Sequence, residues 1–190
     1  MAHKLFLPTN YVGGCEFITQ DGKHHEIDGT WDLLIAHPPC TYLTVTGNSW
    51  FSTEEYVTKA KARYMDKVDA IRFFMEFVVC NAKRIAIENP IGIMSNVYRK
   101  PTQIIHPYMF GDAERKAMCL WLQNLKPLEP TNIVEPEIIE YKNGKGTDSP
   151  WHMKTMGLPK EERQRMRSKT FPGIAKAMAE QWGICEKGEP

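Results

Sequence analysis

Two short apolar runs separated by a long helical pattern dominate the first half of the chain. Residues 31–36 and 84–90 are each followed by turn-forming residues, which predicts two short buried strands. The helical pattern between them begins at Ser52 and Glu55, whose spacing is that of a capping box. Its apolar positions recur every three or four residues and are predicted to lie against a sheet: Ala60, Tyr64, Val68, Ile71, Met75 and Val78 or Val79. Strand, helix and strand in this order predict a parallel crossover unit.

The rest of the pattern completes a single α/β domain over residues 1–190. Residues 116–122 predict another strand, and residues 174–182 predict a final helix with Gly183 at its C-cap. Residues 1–30 are rich in turn formers and predict at most two short strands, whereas the polar residues 134–160 predict an exposed insertion loop. We therefore expect a mostly parallel sheet with flanking helices.

Composition narrows the class of protein without naming its partner. A net charge of +1 over 190 residues excludes a strongly basic nucleic-acid arm. The five cysteines never form a CxxC pair, which argues against a disulfide framework and against a zinc site. No apolar run approaches the roughly 20 residues that span a bilayer. The sequence predicts a soluble, cytoplasmic protein with reduced thiols and no membrane partner.

Chemically useful side chains follow both predicted strands of the crossover unit. His37-Pro38-Pro39-Cys40 comes after the first strand, and Glu88-Asn89-Pro90 closes the second. Ligands of parallel sheets bind outside the carboxyl ends of the strands, so these residues are expected to meet. Prolines fix the backbone that aims a side chain, and a thiol aimed into a cleft is suited to act as a nucleophile. The competing interpretation is that Cys40 only fills space, as buried cysteines usually do.

These residues resemble the cytosine-5 DNA methyltransferases, in which a Pro-Cys dipeptide and a Glu-Asn dipeptide follow neighbouring strands. The resemblance implies that the Cys40 thiolate attacks carbon 6 of a flipped-out cytosine and that Glu88 binds ring nitrogen 3. Residues 110–121 resemble the family's aromatic-Gly turn and Gln-x-Arg-x-Arg strand, but Glu114, Lys116 and Met118 replace the Gln and both Arg residues. The related amino-methyltransferases place an aromatic residue after Pro-Pro, so Cys40 at that position favours methylation of carbon. Zinc deaminases need a second Cys where Leu43 stands, so that class is rejected.

The final motif also resembles this family and implies a cofactor site. Residues 168–179 are similar to the segment that closes on S-adenosylmethionine, and the whole resemblance covers residues 31–133 and 160–183. It implies a shortened Rossmann-like sheet of the class I methyltransferase type. The implied site residues are catalytic Cys40 and Glu88; substrate-binding His37, Pro39, Tyr42, Asn89, Glu114 and Lys116; and cofactor-binding Thr170, Phe171, Pro172 and Gly173. More narrowly, the chain resembles small methyltransferase-like bacteriophage proteins that share His-Pro-Pro-Cys-Thr-Tyr-Leu, which implies DNA or a nucleotide as partner in the bacterial cytoplasm.

The cofactor half of such a fold is reduced or absent here. Only about 30 residues precede the first strand, and Gly13-Gly14-Cys15-Glu16 is the one candidate for a glycine turn that would approach the cofactor. An ordinary turn is the competing interpretation of these glycines. Three hypotheses stay open: an active methyltransferase, a degenerate relative that binds a nucleotide, nucleic acid or host protein without methylating, and a site completed by a second copy or a partner protein.

Two further groups of residues have both a functional and a structural interpretation. Tyr42, Trp50 and Phe51 either stack on a base or pack against the domain. The basic cluster near the end either meets phosphates or is the solvated face of a helix that begins at residues 159–162. Its members are Lys160, Arg163, Arg165, Arg167 and Lys169. His37 either tunes the Cys40 thiol or caps a backbone group.

Overall fold

The N-terminal part of the chain contains a β-hairpin. The structure, a computed structural model, describes residues 14–18, 24–28, 31–44, 57–141 and 146–183. Strand β1 (Gly14–Ile18) pairs antiparallel with β2 (His24–Asp28). The prediction of short strands within residues 1–30 is confirmed. Gly14, Cys15 and Glu16 lie in β1, so neither the glycine turn nor an ordinary turn is present at these three residues.

The predicted crossover unit is present. Strand β3 (Leu34–Ala36) and β4 (Ile85–Pro90) pair in parallel, and helix α1 (Val57–Val78) lies between them along the chain. β3 begins later than predicted because Trp31 makes only an isolated bridge with Ala82. The predicted capping box at residues 52–55 lies outside the described residues.

Helix α1 buries only part of the face that its spacing predicts, since Ile71, Met75 and Val78 are half-buried. Tyr64 and Val68 are exposed, whereas Phe74 is fully buried. The Phe74 ring meets the Trp121 ring edge-on, with centroids 5.2 Å apart and planes at 86°. This geometry is one of the favoured aromatic arrangements, so the helix turns its bulkiest buried side chain toward the indole.

The larger sheet has four strands in the order β3-β4-β6-β5. β5 (Gln103–Ile105) was not predicted, and it pairs antiparallel with β6 (Met118–Gln123). The short helix α2 (Met94–Val97) follows β4. Antiparallel pairs outnumber the parallel ones among the described strands, so the chain is a mixed α/β protein and its predicted mostly parallel sheet is not confirmed.

The C-terminal part of the chain is mainly helical. It contains a small antiparallel pair followed by three helices: β7 (Ile139–Glu140), β8 (Thr147–Asp148), α3 (Pro150–Met156), α4 (Lys160–Arg167) and α5 (Pro172–Trp182). The segment 134–160, for which the sequence predicts an exposed loop, thus contributes helix α3, and Ser149 and Thr155 at that helix are buried. The final predicted helix is confirmed as α5.

The chain divides into two units, each with its own buried side chains. The first unit comprises Met1–Lys100 and Trp121–Leu125, and the second comprises Pro101–Leu120 and Lys126–Pro190. Buried apolar residues of the first unit include Ala36, Leu43, Phe74, Ile85, Ile87, Met94 and Trp121. Those of the second include Ile105, Phe110, Met118, Leu120, Leu128, Ile174, Met178 and Trp182. Across the described ranges, no helix combines the length and the apolar character that crossing a membrane requires.

Candidate functional site

A buried carboxyl group is the centre of the candidate site in the first unit. Glu88 lies on β4 with its side chain about 10% exposed, and its Oε2 is 3.1 Å from Nδ1 of His37. A carboxylate only accepts hydrogen bonds, so Nδ1 donates when Glu88 is ionised. Oε1 of Glu88 is buried and has no hydrogen-bond partner among the described residues. Buried polar atoms are nearly always paired, so an unpaired one indicates a place where a ligand can bind.

Hydrogen bonds connect the loops that follow β3 and β4 beside the Glu88 carboxyl group. Asn89 is buried, and its Nδ2 donates to the carbonyl oxygen of Pro38 at 2.8 Å. Further along, the N–H of Ile93 donates to the carbonyl of Leu43 at 2.8 Å. A Cβ added to Gly92 would lie 2.1 Å from that same carbonyl oxygen, so the close approach requires glycine. The loop that carries Cys40 is therefore held against the end of β4.

Cys40 stands at the start of a tight turn in that loop. Its side chain is half-buried, and its carbonyl accepts hydrogen bonds from the N–H groups of Leu43 and Thr44 at 2.9 and 3.1 Å. Pro39 beside it is exposed, whereas Pro38 is buried. Sequence reasoning thus placed His37, Glu88 and Asn89 together correctly, and the structure puts the backbone of Cys40 in the same pair of loops.

Tyr42 packs against helix α1. The guanidinium carbon of Arg63 lies 5.3 Å from the centroid of the Tyr42 ring. Burial, followed by hydrogen bonding to Asp66, raises the pKa of the Tyr42 hydroxyl above its ordinary value. At least one face of the ring is therefore used for packing. Trp50 and Phe51, the other two aromatic candidates, lie outside the described residues.

Glu114 and Lys116 are both engaged within the second unit. Oε1 of Glu114 accepts from the backbone N–H of Trp151 at 3.2 Å, while Oε2 is buried without a partner in the described part of the chain. Nζ of Lys116 donates to the carbonyl of Arg167 at 3.2 Å. The same ammonium lies 5.8 Å from the Trp151 ring centroid and 6.0 Å from that of Phe171. Lys116 is thus fixed by a helix end and two aromatic rings.

The segment predicted to bind the cofactor is used for packing. Gly173 N–H donates to Oδ2 of Asp112 at 3.0 Å, and a Cβ at Gly173 would lie 1.9 Å from the carbonyl oxygen of Phe110. Phe171 is buried, Thr170 is half-buried and Pro172 is exposed. The close approach that glycine permits is therefore made to the chain itself. Gly13, the first glycine of the other candidate segment, lies outside the described residues.

Comparison with known proteins assigns no family to this geometry. No model of a known protein family matches the chain, and no curated protein matches it.

Sequence reasoning missed a group of polar residues in the second unit. Asp148 Oδ2 accepts from Nδ1 of His152 at 2.6 Å and from the hydroxyl of Tyr141 at 2.8 Å. Burial acts to raise the pKa of Asp148, but hydrogen bonds from His152, Tyr141 and the Ser149 N–H outweigh it and lower that pKa. The sequence contained a local signal for this pair. Ser149 caps α3 and Pro150 is its first residue, so Asp148 and His152 lie one helical turn apart.

The described residues hold no group of three His, Cys, Asp or Glu side chains arranged to bind a metal ion.

Proposed function

We propose that the chain is a cytosine-5 DNA methyltransferase-like protein in which Cys40 and Glu88 act on a cytosine ring. The observation that carries this proposal is the Glu88 carboxyl group, which is buried, held at Oε2 by His37 and unpaired at Oε1 among the described residues. Parallel pairing of β3 with β4 supports it, because it brings the Cys40 loop beside Glu88. The proposal includes a shortened Rossmann-like sheet of the class I methyltransferase type.

The chemistry of this pair is addition to the pyrimidine ring. The Cys40 thiolate forms a bond to carbon 6, and the electron pair of the carbon 5–carbon 6 double bond moves toward carbon 5 and the ring. A protonated Glu88 donates a hydrogen bond from Oε1 to ring nitrogen 3 and so stabilises the charge that develops. Carbon 5 is then nucleophilic and takes a proton from solvent. Loss of the original carbon 5 hydrogen and departure of the thiolate restore cytosine.

A second candidate function is binding without methylation. Methyl transfer would use S-adenosylmethionine as donor, and Gly173, which the resemblance assigns to that cofactor, makes its close approach to Phe110 and Asp112. This observation favours a catalytically degenerate relative that binds a nucleotide, nucleic acid or a host protein. A partner protein or a second copy that supplies the cofactor residues would restore the first candidate.

Hydrogen exchange at carbon 5 of cytosine tests the proposal without a cofactor. A cytosine-containing oligodeoxynucleotide, and separately deoxycytidine monophosphate, is incubated with the protein in deuterium oxide, and the carbon 5 proton is followed by NMR. We expect its signal to decay faster than in buffer, and Cys40→Ser to abolish the decay. Cys80→Ser is the matched control, because Cys80 is also half-buried in the first unit.

The outcome separates the two candidate functions. Exchange that Cys40→Ser abolishes and Cys80→Ser preserves supports addition by Cys40. Saturable binding of the oligonucleotide with no exchange above buffer supports the binding protein and rejects addition chemistry. Circular dichroism of each variant establishes that a loss of exchange does not come from unfolding.

A further inference from the structure

The second unit contains a cleft that the proposed chemistry does not use. Its volume is about 470 Å³, which lies within the range of roughly 300–1,000 Å³ that is typical of small-molecule sites. It is lined by His106, Arg115, Lys116, Asp148, Ser149, Trp151 and His152. Four of these seven residues carry a positive charge permanently or on protonation.

Within the described part of the chain, the two permanent cations of the cleft have no carboxylate partner. Neither Arg115 nor Lys116 forms an ion pair with a carboxylate anywhere in the described ranges. Nη2 of Arg115 donates to the Thr147 hydroxyl at 2.8 Å, and Nζ of Lys116 donates to the carbonyl of Arg167. These neutral acceptors orient the side chains and leave their charges uncompensated.

The carboxylate that lines the cleft is already occupied. Oδ2 of Asp148 accepts from His152 and Tyr141, and Oδ1 accepts from the N–H of Ser149 at 2.8 Å. Hydrogen bonds that a carboxylate accepts spread its negative charge over the donors. Two cations therefore face one carboxylate whose main acceptor positions are filled.

Both histidines present one ring nitrogen that has no protein partner in the described part of the chain. Nδ1 of His106 donates to the carbonyl of Arg115 at 3.0 Å, and Nδ1 of His152 donates to Asp148. A carbonyl and a carboxylate only accept, so Nδ1 carries the proton in each ring. Nε2 then accepts when the ring is neutral and donates when the ring is protonated.

We propose that this cleft binds a phosphate group, which Arg115 and Lys116 contact and to which Nε2 of His106 and Nε2 of His152 donate when those rings are protonated. Phosphate oxygens accept several charge-assisted hydrogen bonds at once, and a guanidinium binds two of them in parallel. Trp151 forms the apolar wall for the organic part of the ligand. The phosphate belongs either to the end of a nucleotide or to the backbone of a nucleic acid, and the site functions whether or not Cys40 is a nucleophile.

Calorimetric titration of the full chain with two probes tests the site. Deoxyadenosine monophosphate presents a terminal phosphate, and a short single-stranded oligodeoxynucleotide without terminal phosphates presents internal ones. We expect saturable binding of at least one probe, weakened about tenfold or more by Arg115→Gln through the loss of a charge-assisted contact. Lys126→Gln is the matched control, because Lys126 is also exposed in the second unit but does not line the cleft.

Each result of the titrations either supports or rejects a phosphate site in the cleft. Binding of the monophosphate alone identifies a nucleotide end as the ligand, and competitive binding of the oligonucleotide identifies the backbone. Absence of saturable binding by both probes overturns the site, as does equal weakening by Arg115→Gln and Lys126→Gln, since that result means unspecific charge attraction. Deoxyadenosine monophosphate offers no cytosine ring to Cys40, so failure of the addition chemistry and failure of this site are distinguished.

Discussion

Nδ1 of His37 lies 3.1 Å from Oε2 of Glu88, although the two residues are 51 positions apart in the chain. The contact connects the loop after β3 to the last part of the neighbouring parallel strand β4. It pairs one oxygen of a buried carboxyl group, while the other oxygen has no partner within the described ranges. An imidazole that holds a carboxyl group in one orientation also gives that group a nearby proton donor, which the proposed contact with a pyrimidine ring requires.

Removal of His37 is expected to destabilise the fold through Glu88. His37→Ala leaves a buried carboxyl group without its side-chain partner, which costs about 1–3 kcal/mol of unfolding free energy. The same change made together with Glu88→Gln is expected to cost less, because a neutral amide is less expensive to bury. Urea denaturation of the wild type, both single variants and the double variant measures the coupling. Effects that add within about 0.5 kcal/mol would contradict the contact.

Gly173 is expected to be intolerant of a side chain. Gly173→Ala places a methyl group 1.9 Å from the carbonyl oxygen of Phe110, and the backbone must move to accept it. Overpacking of this kind costs typically about 1–3 kcal/mol. Gly157→Ala is the control, because a Cβ there meets nothing within 4 Å and its φ of −77° suits alanine. Equal thermal midpoints for the two variants would show that the Phe110–Gly173 approach is not needed.

The buried face of α1 is tested with two aromatic side chains of the same helix. Phe74→Ala removes a fully buried ring that meets Trp121, and we expect a loss of about 3–5 kcal/mol. Tyr64→Ala removes a ring that is 59% exposed, and we expect a change within about 0.5 kcal/mol. Denaturant unfolding compares them directly. The face predicted from helical spacing would be correct if Tyr64→Ala were the more damaging change.

Asp148 is expected to give the fold an acid-sensitive contribution. Its pKa is lower in the folded protein than the ordinary value near 3.9, so the folded state holds the proton less tightly than the unfolded state. The stabilisation is therefore complete above about pH 4 and is lost as the pH falls through the lower, folded-state pKa. The difference in unfolding free energy between wild type and Asp148→Asn should shrink over that range.

Glu135→Gln provides the control for that experiment. Glu135 is exposed in the same unit, so its replacement is expected to change stability by less than about 0.5 kcal/mol. The difference in unfolding free energy between wild type and Asp148→Asn is then compared at neutral and acidic pH. If it stays constant, Asp148 does not accept the three hydrogen bonds as an ionised carboxylate.

The sequence alone determined the features that depend on neighbouring residues. Apolar runs bounded by prolines predicted β4 and the parallel crossover, because a proline ends a strand and a helix between two strands returns the chain to the same edge. The meeting of the His37–Cys40 segment with Glu88-Asn89 followed from that topology, whereas the individual pairs His37–Glu88 and Pro38–Asn89 were not predicted. The final helix α5 followed from its own period and its opening proline.

Only the tertiary structure decided what depends on residues distant in the chain. The Phe74 ring of α1 packs against the Trp121 ring. Helical spacing alone does not distinguish this buried position from one a residue away. Gly173 faces Phe110, so its lack of a side chain serves packing, where the sequence suggested a cofactor. The cleft joins His106 and Arg115 to Asp148 and His152 across more than thirty positions. The order of apolar and polar residues along the chain does not predict which distant residues line one cleft. Side-chain packing and hydrogen bonding between the helices and strands decide it.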